Sequence, residues 1–274
     1  CHRLISAGYY QLDIDASHIP ASEDAPLEVF HRDNAQATAE LTRYLRSIQP
    51  DAWLATIGAE VGEIGQRNTT ITDIETFMDA YISGLGSEVD AFDKLSVQTG
   101  TRHGGIVLAD GTCGEMALDL SLAADLSKLV RQEYGIAGLV QHGASTLSLE
   151  NLACLPEHGV IEVHLATGIQ NIVFDHSDFP DGLRKDMITR LTTPSQNPEG
   201  DASQLPIDEL TTAQRFYHAR WEAWGLYKAE LWQMPASSKV AIGETLETWV
   251  EALFYALQVV SKSETLSQFY STGK

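Results

Sequence analysis

Cysteine is scarce in this chain of 274 residues: Cys1, Cys113 and Cys154 are odd in number and widely spaced. No Cys-x-x-Cys pair occurs, which argues against a disulfide framework or a cysteine zinc site and fits a reducing cytoplasm. Basic residues are also few, 18 Lys and Arg against 38 Asp and Glu, for a formal charge of −20. A chain so acidic is repelled by nucleic acid and by anionic membrane surfaces, and neither is expected as a partner. An anionic substrate must then be drawn in by a local site, a metal ion or a set of backbone amides. No apolar run approaches the length of a membrane span, the longest lying near Leu253-Phe-Tyr-Ala-Leu257, and no signal peptide opens the chain. An initiating methionine is missing as well. The opening Cys1-His-Arg-Leu-Ile-Ser-Ala-Gly8 has the pattern of closing helical turns stopped by glycine, so a start cut from something longer is expected.

What is present reads as alternating strands and helices. The 43% hydrophobic and 20% charged content is that of a globular protein of one large domain. Tyr9-Tyr-Gln-Leu-Asp-Ile-Asp15 has strand composition, and a helix follows from Pro26 to Ser47. Ala52-Trp-Leu-Ala-Thr-Ile57 makes a second strand, with Glu60 at or near its end. Thr72 with Glu75 reads as a capping box opening a helix that Gly84 and Gly86 close. Lys94-Leu-Ser-Val97 runs into Gln98-Thr-Gly-Thr-Arg-His-Gly-Gly105, and Ile136-Ala-Gly-Leu-Val140 runs into Gln141-His-Gly-Ala-Ser145. Each of these strands breaks into glycine at a histidine. Val160-Ile-Glu-Val-His-Leu165 makes a fifth strand, opening into Ala166-Thr-Gly168, in which His164 faces opposite to Val163 and Leu165. The remainder is helical, with one long helix expected from about Ile207 to Gln233 and a last from about Val240 to Val260.

Asp15, Glu60, His103, His142 and Thr167 thus fall one per strand end. Parallel strands joined by right-handed crossovers would bring all five to one face. Local alternatives stand beside that reading: Glu60 could pair with Arg67 or Arg102, and Asp15 and Ser17 could shape their own loop.

Asp15-Ala-Ser-His18, Ala59-Glu-Val-Gly-Glu-Ile-Gly65, Gly100-Thr-Arg-His-Gly104, His142-Gly-Ala-Ser145 and Val163-His-Leu-Ala-Thr167 occur in order. This series resembles the class II, metal-dependent fructose-bisphosphate and tagatose-bisphosphate aldolases. Their corresponding stretches read roughly Asp-Gly-Ser-His, Glu-Leu-Gly, Gly-Thr-Ser-His-Gly, His-Gly-Gly-Ser and Asn-Val-Ala-Thr. Gln196-Asn-Pro-Glu-Gly200 is similar to the family's segment after the barrel.

The resemblance implies an α/β TIM (β/α)8 barrel, of which strands 4–8 are visible, with C-terminal helices. Residues 1–192 would be five strand-helix units of the barrel, and 193–274 a helical extension packed on it or at a subunit interface. It implies His103 and His142 as zinc ligands and Glu60 as an acidic ligand for an alternative metal position. Gly104, Gly143 and Ser145 would line the substrate phosphate site and a monovalent-cation site for Na+ or K+, with Ala166 and Thr167 beside them. His164 stands where the family has a substrate-contacting asparagine, and Asp15 and Ser17 are further candidates.

The implied activity is zinc-dependent, reversible aldol cleavage of a phosphorylated ketose to dihydroxyacetone phosphate and an aldehyde. The implied protein is a cytoplasmic homo-oligomer, dimer or tetramer. Departures from the pattern are Ala144 for a glycine, the non-acidic Gln66-Arg-Asn-Thr-Thr70 loop, and the lack of a His-x-Asp-His motif carrying a third histidine and the catalytic aspartate. An N-terminal segment supplying that motif is expected. The alternative is a non-catalytic relative that binds sugar phosphate or metal as an assembly or regulatory subunit.

Overall fold

The computed structural model describes residues 1–19, 25–50, 54–62, 67–102, 104–193, 209–260 and 262. Five parallel strands form one sheet in the order β1 (Gln11–Ile14), β2 (Thr56–Val61), β3 (Lys94–Val97), β6 (Gly138–Gln141) and β7 (Val160–Val163). A short antiparallel hairpin, β4 (Ile106–Val107) with β5 (Cys113–Gly114), follows β3. Helices fill the connections: α1 (His2–Ser6) precedes β1, α2 (Leu27–Ile48) and α3 (Ile71–Leu85) flank β2, and α4 (Leu120–Glu133) and α5 (Leu149–Cys154) flank β6. Among the described residues the C-terminal part forms helices: α6 (Thr167–Asp175), α7 (Asp181–Leu191), α8 (Thr212–Ala219), α9 (Ala223–Leu226), α10 (Lys228–Trp232) and α11 (Ala236–Ala256). This is an α/β fold built on a parallel sheet. No helix of the described residues is long and apolar enough to cross a membrane.

The strand register sorts the side chains by face. Leu12, Ile57, Ile14, Ala59, Val61, Leu95, Val97 and Leu139 fall on one side and join the main core with Phe77, Tyr81, Leu126 and Val130 from α3 and α4. The opposite, inner face is polar, carrying Asp13, Glu60, Lys94, Ser96 and Glu162. Across a flat sheet the outer strands would stand about 19 Å apart, four strand spacings. Yet Lys94 Nζ on the central strand lies 2.8 Å from Asp13 Oδ1 on β1 and 2.5 Å from Glu162 Oε1 on β7. The sheet is therefore strongly curled, with its polar face inside.

Several expectations are corrected. The second strand spans Thr56–Val61, with Leu54 and Ala55 outside it and Glu60 near its end as expected; Ala52 and Trp53 lie outside the described residues. Gly58, which reads as a terminator, is interior because a side chain there has no room: a Cβ would meet Asp13 Oδ1 at 2.0 Å and Lys94 Cε at 3.0 Å. The capping box at the start of α3 is Thr70 with Asp73, not Thr72 with Glu75. Asp73 is also held by His31 at 2.8 Å and by a bidentate Arg67 at 2.6 Å, which fixes the helix start two residues earlier. The long helix expected up to Gln233 is broken into α8, a turn of 3-10 helix at Arg220–Glu222, α9 and α10. The breaks turn Phe216, Ala219, Ala223 and Tyr227 onto a second core of Val173, Phe174, Phe179 and Met187, which one straight helix would not reach.

Candidate metal and substrate site

Each candidate is placed by the end of a strand. Thr101 Oγ1 and Gln141 Nε2 donate to the His142 carbonyl at 2.8 and 2.9 Å, while Thr99 Oγ1 donates to Gln141 Oε1 at 2.7 Å. Gln98, Thr99, Thr101 and Gln141 are all buried, so the turns after β3 and β6 are locked to each other. The small residue at 143 is required here: Gly143 has φ +65°, and a Cβ would press on Arg102 O at 2.7 Å.

Three of the expected groups meet inside the curl. His142 Nδ1 lies 3.9 Å from Glu60 Oε2, and the His142 and His164 rings are 4.4 Å apart between centroids. His164 Nε2 reaches Glu162 Oε1 at 2.7 Å and Asp13 Oδ2 at 3.4 Å. Arg67 is engaged with Asp73, and Glu60 faces His142. His103 lies outside the described residues, as does the Gln196–Gly200 segment.

The phosphate candidates form a second group. Gly168 N donates to Ser145 Oγ at 3.0 Å, so the serine hydroxyl keeps its own proton for another acceptor. That bond ties the turn after β6 to the first turn of α6, where Thr167 is the first residue and Ala166 the cap. Gly104 and Gly105 both adopt positive φ, +80° and +71°. Asp15 and Ser17 are turned on themselves: Asp15 Oδ1 accepts from Ser17 N and Oγ at 3.1 and 2.7 Å, and Asp15 Oδ2 faces His18 at 3.2 Å.

Sequence reasoning passed over Asp13, Lys94 and Glu162. Lys94 is 2% exposed and sits between two carboxylates. The signal for Asp13 was present, a polar residue alternating with the apolar Leu12 and Ile14. Burial pushes the Glu162 carboxyl up, but hydrogen bonds from His164 and Lys94 and the lysine charge outweigh it and hold the group at about 2. A folded value below the ordinary 4.5 adds stability that is complete above pH 4.5 and is lost as pH falls toward 2. A Glu162→Gln chain is accordingly expected to show a shallower loss of stability across that acid window than the parent, in urea midpoints measured at stepped pH. Parallel curves would remove Glu162 from the account.

Two sets of donors compete for a metal ion. Asp13, Glu162 and His164 offer ligand atoms within 4.8 Å of one another, but the Lys94 ammonium already pairs with both of those carboxylates. Glu60 and His142 form the second set. Two donors each about 2.1 Å from one zinc stand no more than about 4.2 Å apart, a limit that the 3.9 Å between His142 and Glu60 satisfies. Ser96 Oγ, buried on the same inner face beside Glu60, has no hydrogen-bond partner among the described residues, as suits an interior meant to receive a polar guest. The residues fit a divalent ion at the His142 and Glu60 end of the cluster.

Comparison with known proteins adds the following. The model of the family described as "Fructose-bisphosphate aldolase class-II" matches residues 1–215. No curated protein sequence matches the chain. Among solved structures, a fructuronate-tagaturonate epimerase from Cohnella laeviribosi superposes with a TM-score of 0.59 at 12% identity, over 93% of this chain and 65% of its own. A fructose-bisphosphate aldolase from Campylobacter jejuni gives 0.46 at 19% identity, over 89% and 58%. The YdjI aldolase from Escherichia coli K12 gives 0.41 at 16%, over 86% and 65%. The chain therefore spans less than two thirds of the length of each of these three structures.

Proposed function

Since the chain belongs to the class-II fructose-bisphosphate aldolase family, we propose that it is the metal-binding part of a zinc-dependent lyase cleaving a phosphorylated ketose to dihydroxyacetone phosphate and an aldehyde. The observation that carries this reading is the pairing of His142 with Glu60 at 3.9 Å, inside a curled sheet in which Lys94 pairs with Asp13 and Glu162. His142, Glu60 and, by family resemblance, His103 would hold the ion. When bound, zinc supplies Lewis-acid polarisation of the ketose carbonyl.

The chain's own groups do the rest. Gly143 and Gly104 let backbone approach a phosphate oxygen, Ser145 donates its hydroxyl, and Ala166 and Thr167 open the helix whose first turn faces the same place. A bound Na+ or K+ would share that corner. His164, in place of the family's asparagine, is aimed by Glu162 at the substrate side of His142.

We read the sheet as strands 4–8 of a (β/α)8 barrel, with 1–192 its barrel part and 193–274 an extension seated on it. Asp13, Lys94 and Glu162 come from the first, third and fifth strands, as the interior layers of such barrels draw on alternate strands. Free thiols at Cys1, Cys113 and Cys154 suit a cytoplasmic setting. The exposed Trp221, Trp232, Phe254 and Tyr255 on the C-terminal helices suit a homo-oligomer.

The test is to incubate the protein with a panel of ketose mono- and bisphosphates and couple dihydroxyacetone phosphate to a reporter enzyme, with and without a strong chelator. Chelator-sensitive cleavage of at least one ketose phosphate is expected. Zinc binding without any cleavage would instead favour a non-catalytic sugar-phosphate binder.

A further inference from the structure

Helix α8 presents three donors at successive turns of one face: Thr211 at its cap, Gln214 and Tyr217. Each captures a main-chain carbonyl of the segment leading from β3 through the hairpin. Thr211 Oγ1 donates to Ala109 O at 2.8 Å, Gln214 Nε2 to Val107 O at 3.1 Å and Tyr217 Oη to Gly104 O at 2.7 Å. The last of these rungs reaches the glycine turn beside the proposed phosphate site.

Tyr217 is itself held from three directions. The Cys113 thiol lies 2.7 Å from its hydroxyl and Asn171 Nδ2 donates to it at 3.4 Å. Arg220, 2% exposed, lies 4.1 Å over its ring while gripping both Asp175 oxygens at 3.0 and 3.1 Å and the Asn171 side chain. Asn171 and Asp175 are on α6, the helix whose first turn bonds Ser145. Burial and the neighbouring thiol push the phenol up, so it stays protonated and donates to the Gly104 carbonyl. Gly104 and Gly105 sit at positive φ, a conformation glycine permits but does not enforce, so the turn must be fixed from outside.

We propose that Tyr217 is the positioning residue of the phosphate cradle, holding the Gly104–Gly105 turn in register with Gly143–Ser145 and the first turn of α6. The inference rests on the sugar-phosphate reading given above. It makes the C-terminal extension part of the substrate site rather than an appendage.

The test compares Tyr217→Phe and Gln214→Ala in the full chain. Inorganic phosphate is titrated by calorimetry, KM and kcat are measured for the phosphorylated ketose cleaved by the parent, and thermal midpoints are recorded. Tyr217→Phe is expected to weaken phosphate and raise KM by about tenfold with kcat little changed, the equivalent of one lost hydrogen bond. Gln214→Ala, which cuts the neighbouring rung, is expected to keep the parent's phosphate affinity. Parental phosphate affinity and KM in Tyr217→Phe would overturn the assignment. An equal loss in both variants alongside lower midpoints would reduce Tyr217 to general packing and overturn it too. A parent chain that binds no phosphate brings down the sugar-phosphate reading and the inference with it, a result distinct from the other two.

Discussion

A His142→Ala chain is expected to lose its zinc and its aldol cleavage together. The imidazole projects from a peptide whose carbonyl is held by Thr101 and Gln141, so its place is fixed by the backbone and does not depend on the metal. Truncation removes the imidazole that faces Glu60, and His164 is already committed to Glu162. Changes to groups that merely orient a ligand cost about 10- to 100-fold in metal affinity or activity, and loss of a ligand should exceed that. Metal analysis after desalting, paired with the coupled cleavage assay, reads both effects. Turnover that survives the substitution, or that persists in the parent under a strong chelator, would end the zinc assignment.

The second large effect is expected at Lys94. Lys94→Met keeps an unbranched side chain of similar length but removes the ammonium that Asp13 and Glu162 share, leaving them only His164. Removing one partner of a buried ion pair costs about 3–5 kcal/mol, and the partial exposure of the two carboxylates argues for the lower end, about 3 kcal/mol. The pH dependence gives the cause away. Lys94 helps to hold the Glu162 carboxyl below its ordinary 4.5, so the loss is greatest at neutral pH and shrinks as pH falls from 4.5 toward 2. Urea unfolding of parent and variant at pH 7 and near pH 4 measures both quantities. A cost independent of pH would mean that Lys94 acts through packing alone.

Much of the architecture is written in local pattern. Lys94–Val97 forms where its composition places it, and Gly8 stops α1. The errors arise where distant chain sets the outcome. Gly58 continues a strand because Asp13 and Lys94 need its space, and neither is a neighbour in sequence. The C-terminal helices break so that Arg220 can reach Asp175 and Asn171.

The site divides in the same way. His142, Glu60 and His164 were legible as polar residues at or near strand ends, although the distance between them was not. Lys94 was not legible at all, since a lysine opening a strand reads as solvated until the sheet curls and brings Glu162, 68 residues away, against it. Nor does any local feature join Cys113 to Tyr217 across 104 residues.

The ladder from α8 to the hairpin has an evolutionary corollary. Its three rungs clasp carbonyl oxygens, which every amino acid possesses, and so they read the path of the hairpin rather than its letters. Residues 106–110 can drift through many identities while the grip persists. Gly111 is held back from such drift by its φ of +86°, which side chains rarely adopt, and by a tight 3.0 Å approach of any Cβ there to Ala213. Homologous chains should therefore vary freely along this stretch yet keep glycine at 111 and hydrogen-bond donors at 211, 214 and 217.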